Sequence, residues 1–287
     1  MEITYINKKL LFKSKPLTLN KTITSTEAEM LRLPNGDLYK RFYVKEGTYF
    51  SDKLATLTEL NKNKKLLNHK EFVLPKSLTS TGGKIDGYTM AYIPGENLDN
   101  ILNNYNVSQS DKLKYLKQAG DIIAKVSNLR KYKELSNFYI GDIHSQNFIV
   151  DHDGVKLVDM DSVRIGKLDG FPIKNTYPES NFKKFKGKYE FNDKGVIANQ
   201  ESDIAMYNMM VLNFLSKTKM QTKTIEDFYS YLTFAKKQGM PEELVNEFMN
   251  IYSQQKGMLV KDYLKLIKDP VGKYNYEIYE KFYDYTK

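Results

Sequence analysis

The sequence predicts an α+β protein built in two parts, on three observations. Apolar residues in the first 93 positions alternate in strand fashion around a single helical stretch, the pattern after Ile93 turns helical, and the connector Pro94-Gly95-Glu96-Asn97 is short enough to act as a hinge. The expected architecture is bilobal: a small β-rich N-lobe with one main helix over residues 1–93, and a larger, mostly helical C-lobe over 94–287.

Residues 1–50 read as strands. Within them TSTEAEMLRL (24–33) and DLYKRFYV (37–44) flank Pro34-Asn35-Gly36, whose Asn-Gly pair closes β-hairpins. From Phe50 to Leu67 the period becomes helical, with Phe50, Leu54, Leu57 and Leu60 on one stripe. FVLPKSLTS and IDGYTMAYI form a second strand pair joined by TGGK at 81–84. Past the connector, Asp111 to Leu129 is amphipathic, with Leu113, Leu116, Ile123 and Val126 on one face and Ser108 or Ser110 as cap. The polar stretch from Gly166 to Gln200 reads as a long functional loop rather than packed structure. SDIAMYNMMVLNFL (202–215) is apolar on nearly every side, so its helix must be buried. TIEDFYSYLTFA, PEELVNEFMNIY (Pro241 at the first helical position) and VKDYLKLI follow as amphipathic helices.

Composition limits the chemistry. A chain of 287 residues, 41% hydrophobic and 28% charged, can bury a sizeable core. It carries no apolar run long enough for a membrane span, and its start lacks the apolar centre of a signal peptide, so a cytoplasmic protein without a membrane partner is expected. With no cysteine and three scattered histidines, any metal must be held by oxygen. The net charge of +9 comes from lysines spread along the chain, and only Arg32, Arg41, Arg130 and Arg164 offer the bidentate fork favoured at phosphates and bases. That pattern describes a solvated surface rather than a nucleic-acid site. It does not specify an oligomeric state.

Chemistry concentrates between Tyr139 and Ser162, in YIGDIHSQNFIVDHDGVKLVDMDS. FIV and VKLV are strand-like, and DHDG between them is a tight-turn sequence in which Asp151 and Asp153 serve the turn. Such a hairpin brings Asp142 and Asn147, which precede it, to the same end as Asp159, which follows it. A cluster of this kind suits Mg²⁺, which takes one or two carboxylates plus substrate phosphates. Asp161 reads equally as a further metal ligand or as a local hydrogen-bonding group.

At these residues the chain resembles the protein-kinase-like superfamily, whose catalytic loop has an Asp followed five residues later by Asn and whose metal-binding Asp follows a short hairpin. The resemblance spans about residues 17–268 and implies a bilobal protein-kinase-like fold that uses ATP and Mg²⁺. It implies that Asp142 accepts the proton of the acceptor hydroxyl and that Asn147 and Asp159 hold the metal. Lys40 in DLYKRF, steadied by Glu59 in LTELNK, would contact the phosphates. MAYIPGENL resembles the interlobe hinge, with Met90 as gatekeeper and the backbone of Ala91, Tyr92 and Ile93 facing adenine. Asp203, in SDIAMYNMM, would brace the catalytic loop.

Several spellings depart from the commonest one. NKTITSTEAE stands where a glycine-rich loop would, Ile140 replaces the usual histidine, and Asp159-Met160-Asp161 replaces DFG. His144 sits at the position of the catalytic-loop lysine, and Pro178-Glu179 is the nearest counterpart of APE. The leading expectation is an ATP- and Mg²⁺-dependent phosphotransferase acting on protein serine or threonine, with residues 166–200 as activation or substrate segment. DIH and DMD support a small-molecule kinase of the aminoglycoside or choline type as the alternative, and the missing glycines support a nucleotide-binding pseudokinase.

Overall fold

The computed structural model describes residues 1–16, 27–169, 184–185, 187–192, 195–268 and 271–286. The fold is α+β: a β-sheet region leads and a helical part follows. Among the described residues no helix is long and apolar enough to cross a membrane.

The sheet has six strands: β1 (Ile3–Tyr5), β2 (Lys15–Pro16), β3 (Ala28–Arg32), β4 (Asp37–Phe42), β5 (Pro75–Thr81) and β6 (Lys84–Ala91), in the order β1-β5-β6-β4-β3-β2. β1 and β5 run parallel, and the remaining neighbours are antiparallel: the hairpins β3-β4 and β5-β6, the central pair β4-β6 and the edge pair β2-β3. The Asn-Gly turn is present, with Gly36 at φ +89°, a conformation that glycine adopts without steric penalty. Lys8–Lys13, read from sequence as strand, is a short helix α1. Asn7 caps it by accepting from the Leu10 amide at 2.8 Å, and Leu10 and Leu11 pack on Ile6, Leu31, Leu33 and Tyr39.

Helix α2 (Gly47–Lys62) covers the other face of the sheet. Its buried stripe holds Phe50, Lys53, Thr56, Leu57 and Leu60. Phe50 and Leu57 join Leu38, Phe42, Tyr88 and Met90 in one apolar cluster, and Ala91, Tyr92 and Ile93 pack against it. The strand period of two puts Lys40 on the same face as Leu38 and Phe42, under α2. Met90 and Ala91 end β6, Tyr92 and Ile93 continue beyond it against the sheet's core, and Arg32 stacks over the Tyr92 ring at 4.2 Å.

The connector leads into a second sheet of β7 (Glu96–Asn97), β8 (Phe148–Asp151) and β9 (Gly154–Leu157). Gly95 permits it: a Cβ there would lie 2.3 Å from the Val150 carbonyl oxygen. The helices are α3 (Leu98–Asn103), α4 (Gln109–Leu129), α5 (Gln200–Ser216), α6 (Ile225–Lys237), α7 (Glu242–Met249) and α8 (Tyr276–Thr286). Ser108 caps α4, and α5 is buried along almost its whole length, both as its sequence predicts. VKDYLKLI forms two 3-10 turns instead of a helix, with Val260 and Leu264 as its buried contacts.

The segment expected as an open loop is partly packed. β10 (Glu190–Asn192) pairs with β11 (Gly195–Ile197), and Tyr189 and Val196 are buried in the helical core. Pro178-Glu179 and most of NKTITSTEAE lie outside the described residues.

Candidate functional site

The hairpin β8-β9 forms in the expected register, Phe148 opposite Leu157 and Asp151 opposite Gly154. At its tip the Asp153 amide donates to Asp151 at 2.8 Å, and Lys156 lies 3.4 and 3.9 Å from the two carboxylates. Asp151, His152 and Asp153 bring possible ligand atoms within 4.8 Å of one another there, but turn geometry and Lys156 already account for the grouping.

The candidate site residues lie at the open end. Asn147 closes a 3-10 turn and donates through Nδ2 to the Asp142 carbonyl at 2.9 Å and to its carboxylate at 3.2 Å. The Val158 amide donates to the Asn147 carbonyl at 2.9 Å, fixing the strand that delivers Asp159. The loop before Asp142 is held from below: Asp203, at the first turn of α5, accepts from the Ile140 amide at 3.0 Å and the Gly141 amide at 2.9 Å. Gly141 sits at φ +77°, which the bend between those two amides requires. Burial raises the Asp203 carboxyl to about 6 despite these amides and the charge of Arg130.

Asp142 is half-exposed, with His144 Nε2 3.5 Å from its Oδ1. Burial pushes the Asp142 carboxyl up, yet the bond and charge of His144, the Asn147 amide and the charge of Lys53 hold it below its usual range. Burial favours neutral His144, yet Asp142 beside it, helped by Asp159 and Asp99, holds its pKa above the usual value.

Lys40 is buried, and its Nζ lies 2.5 Å from Asp159 Oδ1, 3.0 Å from Asp161 Oδ2 and 3.7 Å from Glu27. A second buried lysine, Lys53 of α2, lies 3.1 Å from Asp161 Oδ1, 2.6 Å from Ser162 Oγ and 2.7 Å from Glu27. Tyr49 donates to Glu27 as well. Asp161 is fully buried between the two ammonium groups, which outweigh desolvation and keep it ionised. Asp159 is pushed up to about 6 by burial and by the charge of Asp161, against the attraction of Lys40. Asp159 also adopts the left-handed conformation, φ 60°, ψ 47°, which is uncommon outside glycine and which aspartate tolerates better than most residues. Met160, buried in the helical core, anchors that turn.

The expected partnership of Lys40 with Glu59 does not form among the described residues. Glu59 pairs with Lys62 at 2.5 Å and faces Gly166. Six residues separate it from Lys53, about 600° of helix, so it points away from the stripe beneath which Lys40 lies. Asp142, Asn147, Asp159 and Lys40 therefore share one site, while Glu59 lies outside it and Met90, Ala91, Tyr92 and Ile93 line the strand end beside the sheet core. Sequence reading missed Lys53 and Glu27 and left Asp161 open. A lysine on the apolar stripe of a helix, between Phe50 and Leu57, was the available signal for Lys53.

The donor set suits a hard divalent cation. Asn147 Oδ1 and Asp159 Oδ2 make no hydrogen bond among the described residues, and both are oxygens. Two ammonium groups facing Glu27, Asp159 and Asp161 leave that cluster at −1, so added positive charge is electrostatically favoured. No protein-family model matches the chain, and no curated protein matches it.

Proposed function

We propose that the protein is an ATP- and Mg²⁺-dependent phosphotransferase with a bilobal protein-kinase-like fold, acting on serine or threonine hydroxyls of proteins. The observation that carries this reading is the contact of Lys40, from the sheet, with Asp159 on one flank of a hairpin whose other flank holds the hydrogen-bonded pair Asp142 and Asn147.

In this reading Asn147 and Asp159 hold Mg²⁺, which neutralises charge on the nucleotide phosphates when bound. Lys40, already charged and held at the metal-binding carboxylate, contacts the phosphates. Asp142 orients the acceptor hydroxyl and takes its proton. Its lowered pKa keeps it ionised, so it can orient the hydroxyl by accepting its hydrogen bond, and the Asn147 amide fixes its carboxylate. Asp203 keeps the loop in place through the Ile140 and Gly141 amides. Residues 91–93, at the end of β6, offer backbone to the adenine, with Met90 as gatekeeper.

The test is transfer of labelled γ-phosphate from ATP to the protein itself or to a generic protein acceptor. Wild type should transfer and Asp142→Ala should not; equal transfer by both would overturn the reading. The contact of His144 with Asp142 favours a second reading, a small-molecule acceptor. ATP consumption stimulated by aminoglycosides, choline or sugars, without protein labelling, would select it.

A further inference from the structure

Asp161 and Lys53 have no role in that scheme, yet they are among the most deeply buried charges in the molecule, 0% and 1% exposed. A buried carboxylate and a buried ammonium each carry a desolvation cost that only close pairing offsets. Here the pairing is shared. One oxygen of Asp161 faces Lys53 of α2 at 3.1 Å and the other faces Lys40 of β4 at 3.0 Å. Ser162, the next residue, also accepts from Lys53 at 2.6 Å. Helix α2 is thereby fastened to the turn that carries Asp159, by a cation on the helix and an anion on the turn.

We propose that Lys53 is a positioning residue of the phosphoryl-transfer site, acting through Asp161. This rests on the phosphotransferase reading above and names how that site sets the availability of Lys40. Lys40 has two carboxylate neighbours on the turn, Asp159 at 2.5 Å and Asp161 at 3.0 Å. Because Lys53 shares the charge of Asp161, Asp161 does not draw Lys40 inward with its full strength. Lys40 then remains at the outer carboxylate, Asp159, where it meets the phosphates. Without the Lys53 charge, Asp161 has Lys40 as its sole close cation among the described residues, Lys40 moves toward it, and Asp159 is left more negative.

That shift has a signature that loosened packing lacks. Lys53→Met should weaken ADP binding at saturating Mg²⁺ by about tenfold, the effect of one uncompensated charge within several ångströms of the phosphates. It should also lower the Mn²⁺ concentration needed to half-saturate the protein without nucleotide, because Asp159 is freed. A merely structural loss weakens both. Lys53→Arg should restore ADP binding to within a few-fold of wild type. In the double variant Lys53→Met/Asp161→Asn the opposing charges leave together, so Lys53→Met should cost less ADP affinity in the Asp161→Asn background than in wild type, a non-additive result in a double-mutant cycle.

Calorimetric titrations with ADP and Mg²⁺, and with Mn²⁺ alone, on wild type and these variants decide the matter; urea unfolding checks that each variant is folded. Opposite shifts in metal and nucleotide affinity with non-additivity support the role. Parallel weakening of both, or strict additivity, overturns it while wild-type binding leaves the phosphotransferase reading standing. Absence of Mg²⁺-dependent ADP binding by wild type overturns that reading, and the role of Lys53 with it. Should Asp161→Asn fail to fold, the opposite shifts in Lys53→Met and the Lys53→Arg rescue still decide.

Discussion

Two carboxylates are buried on opposite sides of the same sheet, and they are satisfied very differently. Asp161, beneath α2, meets two buried ammonium groups at 3.0 and 3.1 Å. Asp86, on β6, is 1% exposed, but its neighbours Arg41 and Lys45 approach only to 3.5 and 3.6 Å, and neither of its oxygens makes a well-formed hydrogen bond among the described residues. The cations also differ: Lys40 and Lys53 are 3% and 1% exposed, Arg41 and Lys45 about a third exposed. Removing Asp161 strands buried charge, whereas removing Asp86 leaves cations that water can reach.

The largest expected effect follows from that contrast. Asp161→Ala should lower the free energy of unfolding by about 3–5 kcal/mol, the usual cost of breaking a buried ion pair. A loss in urea unfolding below about 1 kcal/mol would erase the contrast with Asp86.

Asp203 is a third case, a buried carboxylate satisfied by backbone. Asp203→Ala leaves the Ile140 and Gly141 amides without their acceptor and should cost about 2–3 kcal/mol, with faster hydrogen exchange at those two amides. Its pH dependence has a definite sign. Burial raises the folded-state pKa from 3.8 to about 6, so the protonated form favours the fold. That contribution is complete below the ordinary value and is lost as pH rises through about 6. In urea titrations across this range the wild-type protein should show this slope and Asp203→Ala should lack it.

Asp86→Asn should change stability by less than about 1 kcal/mol, since its ion pairs are long and its cations partly solvated. A cost near that of Asp161→Ala would show that burial alone sets the effect. The smallest effect belongs to His144 and Asp142, both partly exposed. The His144 pKa is raised, so its contribution is present below its ordinary value and lost as pH rises through the raised one; the Asp142 pKa is lowered, so its contribution is present above its ordinary value and lost as pH falls. An NMR titration of His144 should therefore midpoint above 6.5, and Asp142→Asn should bring it down.

How far the sequence revealed this arrangement depended on the distance over which each residue acts. Asp142, Asn147 and Asp159 lie within one hairpin, so turn chemistry and the period of two bring them together without tertiary information. Lys40 was legible through the resemblance alone, as the lysine of the strand that follows an Asn-Gly turn. Its partner was not, because separation along the chain does not fix which face of α2 looks at β4; the apolar stripe does, and it carries Lys53 rather than Glu59. Residues 8–13 were misread for a related reason. Two adjacent leucines look like a strand, and only the Asn7 cap and the neighbouring apolar cluster turn them into a helix. The packing around Tyr189 depends on contacts with distant core residues, so local polarity concealed it.

In the proposed function, the open end of the β8-β9 hairpin is a Mg²⁺–nucleotide site with Asp159 as metal ligand. Calorimetric titration of ADP into wild type and Asp159→Ala, each with and without Mg²⁺, tests it most directly. Wild type should bind ADP more tightly with Mg²⁺ present, and Asp159→Ala should lose that dependence. Binding by wild type that ignores Mg²⁺, or a dependence that survives in Asp159→Ala, would contradict it.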